Sequence, residues 1–410
     1  MEIAANKNII FSKKYLAKKR TYLLSESSII FTISASIALP MVATLLNVIL
    51  DVKYWDSVFI FGIYYLIMLT ALYFSFKRIK TKMLLVPFLF LGLGLISFCM
   101  FPRNGNFLVS QLFIPFFTES LPLFLITLVI NDYNRLYKAL RIASIAAIAS
   151  AFIFVIFQYE GKYEIDYMSF SYGVTLPVML MLIFAFDDKK KIDLFFAFLG
   201  FTIIFVVGAR GPILGLFAGV LFYFLINFKL NLNYTLLLIS LVFLIIFFVI
   251  NFENLIQLLD NFLQQRNISS RTVRLLLHNS IEHDSGRDVL YEKALIASQN
   301  LFIGNGMAGD RVVLGGTYAH NLFLEIFLEY GFILGTIFTI VLIYNLVRTL
   351  FFKNKTIMYY LFFAIFFTTG FIKLQFSSSY TLEPTFYIML ALAMRLASNN
   401  KLRMKRKYAS

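Results

Sequence analysis

Charge is scarce in this chain. Asp, Glu, Lys and Arg make up 14% of its 410 residues, against roughly 25% in soluble domains, which excludes a water-soluble globular protein. A single cysteine, Cys99, excludes an intrachain disulfide and a cysteine-built metal centre, and its place in an apolar run reads as packing. Only three histidines occur, and His278 and His283 make no ligand spacing with His320, so no metal site is expected. The Gly-x-Ser-x-Gly nucleophile motif and the Gly-Lys-Ser/Thr ending of a phosphate loop are absent, which removes the common serine hydrolase and nucleotide-binding signatures. No repeat of 20–50 residues is visible, which counts against transporter designs built from repeats.

What the chain has is apolar length. Hydrophobic residues reach 60% and aromatic ones 18%. A run of about 20 apolar residues crosses a bilayer as a helix, whereas membrane barrels alternate in segments of about ten. Unbroken runs such as Leu236–Ile250 exclude the barrel. The expected fold is an all-α polytopic membrane protein with about twelve spans, near 29–50, 57–76, 83–101, 107–130, 142–159, 170–186, 194–208, 212–228, 234–251, 318–347, 356–374 and 380–397.

Basic residues set the expected orientation. The termini and every second loop carry them densely, as in Lys7–Arg20, Lys77–Lys82, Arg135–Arg141, Lys189–Lys191 and Arg395–Lys407. The opposite loops hold only Lys53, Arg103, Lys162, Arg210 and Lys373 outside one long polar stretch, 252–317. Both termini are therefore expected in the cytoplasm and 252–317 outside. The net charge of +15 is mostly this asymmetry. No basic face on a soluble domain exists to bind nucleic acid. The first apolar run, about 22 residues, is longer than a signal-peptide core and reads as an uncleaved helix. Three regions follow: 1–251 with nine spans, the external 252–317, and 318–410 with three spans and a basic tail.

Within 252–317, Ser285-Gly286-Arg287-Asp288 has the pattern of a capped helix start, and Leu290, Ala294, Ala297 and Leu301 recur at helical spacing. Arg287 would sit in the first turn, adding to the positive helix end that attracts anions. Gly304-Asn305-Gly306 and Gly315-Gly316 read as a flexible passage into the tenth span, which begins near Tyr318. Arg266, Arg271, Arg274 and Arg311, balanced by acidic neighbours such as Asp310, read as ordinary surface charges.

Three residues stand out chemically. His320, at the membrane boundary, is either a polar residue marking a helix start or a general base. Arg210, flanked by Ala209 and Gly211 in Gly208–Pro212, is either a snorkelling turn residue or a phosphate ligand whose fork fits two oxygens. Arg287 is either a solvated helix-start residue or a second anion ligand. Asn321, Glu325 and Glu329 form a stripe turned away from His320, and two glutamates in an apolar span should face a polar cavity or the interface. Glu119 and Lys373, within or near spans, are either structural polar groups or residues on a substrate path.

These motifs resemble, in order, those of the bacterial O-antigen polymerase and ligase superfamily (the Wzy and WaaL type). They are Arg210-Gly211 at a helix end, Ser285-Gly286-Arg287 in the large loop, and His320-Asn321-Leu322-Phe323-Leu324-Glu325 followed by Glu329-Tyr330-Gly331 and Gly335. The motifs cover about 195–340. Ala209 stands where many relatives carry a hydroxyl residue, and the loop 159–169 is short for some polymerases. The resemblance implies a metal- and cofactor-independent glycosyltransferase of the bacterial plasma membrane acting on undecaprenyl-diphosphate-linked oligosaccharide. Arg210 and Arg287 would bind the diphosphate, His320 would serve as base, and Asn321 and Glu325 would support it. A Wzy-type repeat-unit polymerase is the expected subfamily, an O-antigen ligase the alternative, and a lipid-linked oligosaccharide flippase a third reading from another class. A flippase should show charges deep between its helices and no large external segment. Partners implied are the bilayer, a chain-length regulator and the pathway's flippase.

Overall fold

The computed structural model describes residues 2–49, 55–158, 166–207, 210–227, 287–298, 302–353 and 355–407, with isolated positions at 257, 258, 261 and 265. The side chains of 2–21, 55–60, 82, 210, 287–288 and 399–407 are outside that description. The expected span 234–251, Ser285, Gly286 and Leu301 also lie outside it.

Among the described residues the protein is all helix, with no strand. In chain order the helices are α1 (Glu2–Ile49), α2 (Trp55–Phe76), α3 (Leu85–Met100), α4 (Pro102–Leu128), α5 (Tyr133–Gln158), α6 (Tyr167–Asp188) and α7 (Lys191–Val207). After them come α8 (Arg210–Asn227), α9 (Arg287–Ser298), α10 (Gly309–Val313), α11 (Leu322–Leu350), α12 (Ile357–Phe367) and α13 (Pro384–Lys407). Five segments are long and apolar enough to cross a bilayer: Tyr22–Ile49 of α1, then α4, α5, α6 and α11. Shorter apolar helices accompany them. The molecule is a polytopic membrane protein.

The α6 helix lies at the centre. Its positions from Phe170 to Ala185 are almost all buried, among them Val174, Val178, Leu180, Met181 and Phe184. Glycine lets its neighbours approach: a Cβ on Gly200 of α7 would stand 2.4 Å from Val178. The outer faces stay apolar, as Phe198, Leu66, Ile142 and Phe332 show. In lipid such exposure carries no penalty, because the hydrocarbon is as apolar as the side chain. Cys99 is exposed on α3, so it faces outward rather than packing as expected.

Two departures from the expected span bounds bear on the site. The tenth starts at Leu322, not Tyr318, because Asn321 takes extended backbone and caps the helix, its Oδ1 accepting from Phe323 N at 3.0 Å and Leu324 N at 3.2 Å. The eleventh is helical only to Phe367, after which 368–383 folds as an irregular segment with Leu374, Ser379, Tyr380 and Thr381 buried. Non-helical backbone at membrane depth is tolerated where protein encloses it. The α4 helix widens into π turns at Leu108–Phe113 and Phe116–Ser120 around Pro115. Such turns are frequent at functional positions, and here they carry Gln111 and Glu119.

The Gly304–Gly306 stretch is a close crossing rather than the flexible passage its composition suggested. Gly331 breaks α11 with φ 73°, ψ −175°, a conformation essentially reserved for glycine. Beside the break, Leu328 O and Glu329 O accept from Asn305 N and Gly306 N, each at 2.9 Å. A Cβ on Gly304 would meet Glu329 O at 2.2 Å, and one on Gly331 would meet Gly304 N at 2.5 Å. Gly331→Ala is therefore expected to lose at least about 1–3 kcal/mol from backbone strain and to expose 302–309 to protease. Gly92→Ala, whose Cβ meets nothing within 4 Å, is the matched control in thermal unfolding and limited proteolysis.

Candidate active site

His320 occupies a left-handed turn, φ 53°, between buried Ala319 and the Asn321 cap. Its half-buried ring lies 4.2 Å from the Tyr318 ring, centroid to centroid. Its carbonyl accepts from Tyr291 Oη at 3.4 Å. Tyr291 belongs to α9, which docks through Ala294, Leu290 and Ala297 against Leu314, Ala319, Leu324 and Leu328.

The turn is anchored from beneath by an ion cluster. Arg311, expected as a surface charge, is fully buried, as are Asp310 and Glu325, with Glu329 nearly so. The guanidinium donates through Nη1 to Asp310 at 2.5 Å, Glu325 at 2.8 Å and Glu329 at 3.2 Å. Through Nη2 it reaches Ser379 and Thr381, at 2.5 and 2.9 Å, and through Nε the π-turn residue Gln111 at 3.4 Å. Only a rigid fork of five N–H donors satisfies so many acceptors. The carboxylates in turn fix the hairpin: Glu329 accepts from Ala308 N at 2.7 Å, and Asp310 from Ala319 N at 3.2 Å, the residue before His320. Burial pushes the Asp310 carboxyl up, against the pull of Arg311, and the three carboxylates hold the Arg311 guanidinium well above its usual value.

The ligand-capable oxygens of Asp310, Glu325 and Glu329 lie within 4.8 Å of one another, a grouping that could hold a metal ion. Arg311 supplies a cation among them. The two glutamates thus meet a buried counter-charge instead of the polar cavity or interface expected. Asn321 and Glu325 act on the frame, Asn321 by capping α11 and Glu325 by binding Arg311.

Arg210 and Arg287 are the first residues of α8 and α9; their side chains lie outside the described residues. The α9 helix reaches the His320 turn, and the α8 helix reaches the 368–383 segment that touches it. The α9 helix does so through Tyr291, one turn after Arg287. For α8, a Cβ on Gly211 would stand 3.8 Å from Phe376 Cβ, and the next residue, Ser377, accepts from Tyr318 Oη through its carbonyl at 3.4 Å.

The same segment carries Lys373, which pairs with Glu383 and lies 5.3 Å from the Tyr172 ring centre. Glu119 accepts from Tyr65 Oη at 2.6 Å. Both residues line a cavity beside α1 and α2. The residues that sequence reading missed are Arg311, Asp310, Tyr318, Tyr291, Ser379 and Thr381. One signal pointed to the first: glutamates one turn apart in an apolar helix need a nearby cation.

Residues 195–339 match the profile of the O-antigen ligase family. No curated protein and no solved structure matches the chain. The matched stretch contains α8, α9, the His320 turn and the first part of α11 with its Gly331 break, and the match supports the resemblance to the O-antigen polymerase and ligase superfamily.

Proposed function

We propose that this protein joins undecaprenyl-diphosphate-linked oligosaccharide repeat units into O-antigen or a related surface polysaccharide, at the outer face of the bacterial plasma membrane. The observation that carries the reading is the His320 turn, held between the helix that begins with Arg287 and the segment beside the start of the Arg210 helix. Both termini are then cytoplasmic and 252–317 external, as the basic-residue asymmetry requires.

In the reaction, an acceptor sugar hydroxyl attacks the anomeric carbon of the donor glycan. The new glycosidic bond forms as the bond to the diphosphate breaks, and undecaprenyl diphosphate leaves. His320 takes the hydroxyl proton. Arg210 and Arg287 hold the diphosphate and stabilise the charge that develops on it, work that two permanent cations perform without a metal. A flippase and a chain-length regulator of the same pathway are the natural partners.

The description of the matched family favours a second reading, transfer of the finished glycan to lipid A core. A flippase is expected to carry charges deep between its helices and no large external segment. The buried Arg311 cluster meets the first of these, and the family match favours glycan transfer. Deleting the gene and running surface polysaccharide on a gel tests both transfers. Core carrying one repeat unit is expected for the polymerase. Core carrying none, with lipid-linked polymer accumulating, would indicate the ligase, and an unchanged ladder would overturn both.

A further inference from the structure

The glycan-transfer reading needs a place for the sugar as well as for the diphosphate. A cavity of about 260 Å³ lies among α1, α2, α4, the start of α6 and the 368–383 segment. Its walls mix polar groups with rings: Glu119, Glu383 and Lys373, the hydroxyls of Ser36 and Thr385, and Tyr64 and Tyr172. Thr369 also lines it, and its Oγ1 is buried with no hydrogen-bond partner among the described residues. Buried hydroxyls are nearly always paired, so this one marks a place for a ligand group or a water.

Charge and size narrow the occupant. The cavity presents two carboxyls against one ammonium, and Lys373 is already paired with Glu383. A diphosphate would meet no surplus positive charge there. A lipid tail would strand the carboxyls against hydrocarbon. The groove between α1 and α5 is the contrasting case, walled mainly by apolar residues such as Ile30, Phe31 and Ile142, with Arg135 and Lys138 also lining it and no carboxyl. Carboxylates and hydroxyls that accept and donate, with aromatic faces beside them, are the chemistry that recognises an uncharged ring of hydroxyls. The volume falls just below the roughly 300–1,000 Å³ typical of small-ligand sites, enough for one ring and too small for an oligosaccharide.

Position agrees. Lys373 and Glu383 stand on the segment whose Ser377 carbonyl accepts from Tyr318, the residue whose ring lies tilted against His320. The Tyr172 hydroxyl would stand 2.4 Å from a Cβ on Gly211, next to Arg210.

We propose that this cavity is a sugar subsite holding one uncharged pyranose of the glycan substrate. It rests on the glycan-transfer reading and assigns Glu119, Glu383 and Thr369 to hydroxyl recognition, outside the reacting groups.

The test uses the full-length protein in lipid nanodiscs, with saturation-transfer NMR against methyl glycosides of neutral hexoses and 6-deoxyhexoses. At least one glycoside should bind the wild type. Its Kd should weaken at least tenfold in Glu119→Gln. Binding should vanish in Ser169→Trp, which fills the rim from an exposed position without touching the buried core. His320→Asn should keep binding while transfer falls. Binding that survives Ser169→Trp, or competition by a decyl chain and not by sugars, would overturn the subsite. Polymer formation with no glycoside bound would also overturn it, leaving the transfer reading intact. Glycoside binding by a protein whose gene deletion leaves surface polysaccharide unchanged would overturn the transfer reading, and with it the subsite's role in transfer.

Discussion

Arg311→Ala is expected to cost about 3–5 kcal/mol of stability, the price of leaving buried charge without its partner. Asp310, Glu325 and Glu329 would lose their shared cation inside a site closed to water, and Gln111, Ser379 and Thr381 would lose their donor. The 303–320 hairpin would detach from α11, because Asp310 and Glu329 hold its backbone at Ala319 and Ala308. Arg311→Lys should fall between, since an ammonium offers three donors where six acceptors surround the fork.

The pH dependence follows from Asp310. Its folded carboxyl is raised above the ordinary value, so its favourable contribution is fully present below the unfolded value of about 3.9 and is lost as pH rises through the folded one. Removing Arg311 takes away the charge that opposed that rise. The deficit of Arg311→Ala should therefore shrink at acidic pH. Thermal unfolding in detergent across pH checks this. A midpoint equal to wild type at neutral pH would show that the cluster does not anchor the hairpin.

His320→Asn is expected to lower glycan transfer by about 10²–10⁴-fold, the usual loss when a positioned general base is removed. Asparagine suits this test better than alanine. His320 sits at φ 53°, and asparagine tolerates that left-handed region while alanine is strained there by roughly 1–2 kcal/mol. His320→Asn should keep the wild-type melting midpoint and the α9 contact, since Tyr291 bonds the backbone carbonyl and not the ring. Donor and acceptor KM should change little while kcat falls. Wild-type chain lengths in cells carrying this variant would remove the base assignment.

The distinction between these two residues shows where sequence reading reaches. His320 was legible because it opens a motif, with Asn321 behind it and Glu329-Tyr330-Gly331 at a fixed distance. Arg311 was not, because its acidic neighbours in sequence look like a solvated surface. Its partners at Glu325, Ser379 and Thr381 come from α11 and from a segment that hydropathy reads as the end of one span, a short loop and the start of the next. The glycines misled for a similar reason. A Gly-Asn-Gly run is flexible by composition, but here Gly304 and Gly306 lie against the carbonyl row that Gly331 leaves open, a contact between positions far apart in the chain.

The sequence by itself determined the class of molecule, the family resemblance and the residues that carry it. Apolar run length, charge scarcity and short-range spacing are local properties that survive without a fold. The tertiary structure decided which charges pair, where the last spans break, and that one irregular segment, 368–383, bridges the Arg311 cluster, the His320 turn and the Glu119 cavity. Those follow from long-range packing in a medium where every buried polar group must find a partner inside the protein. No local pattern specifies which partner that will be.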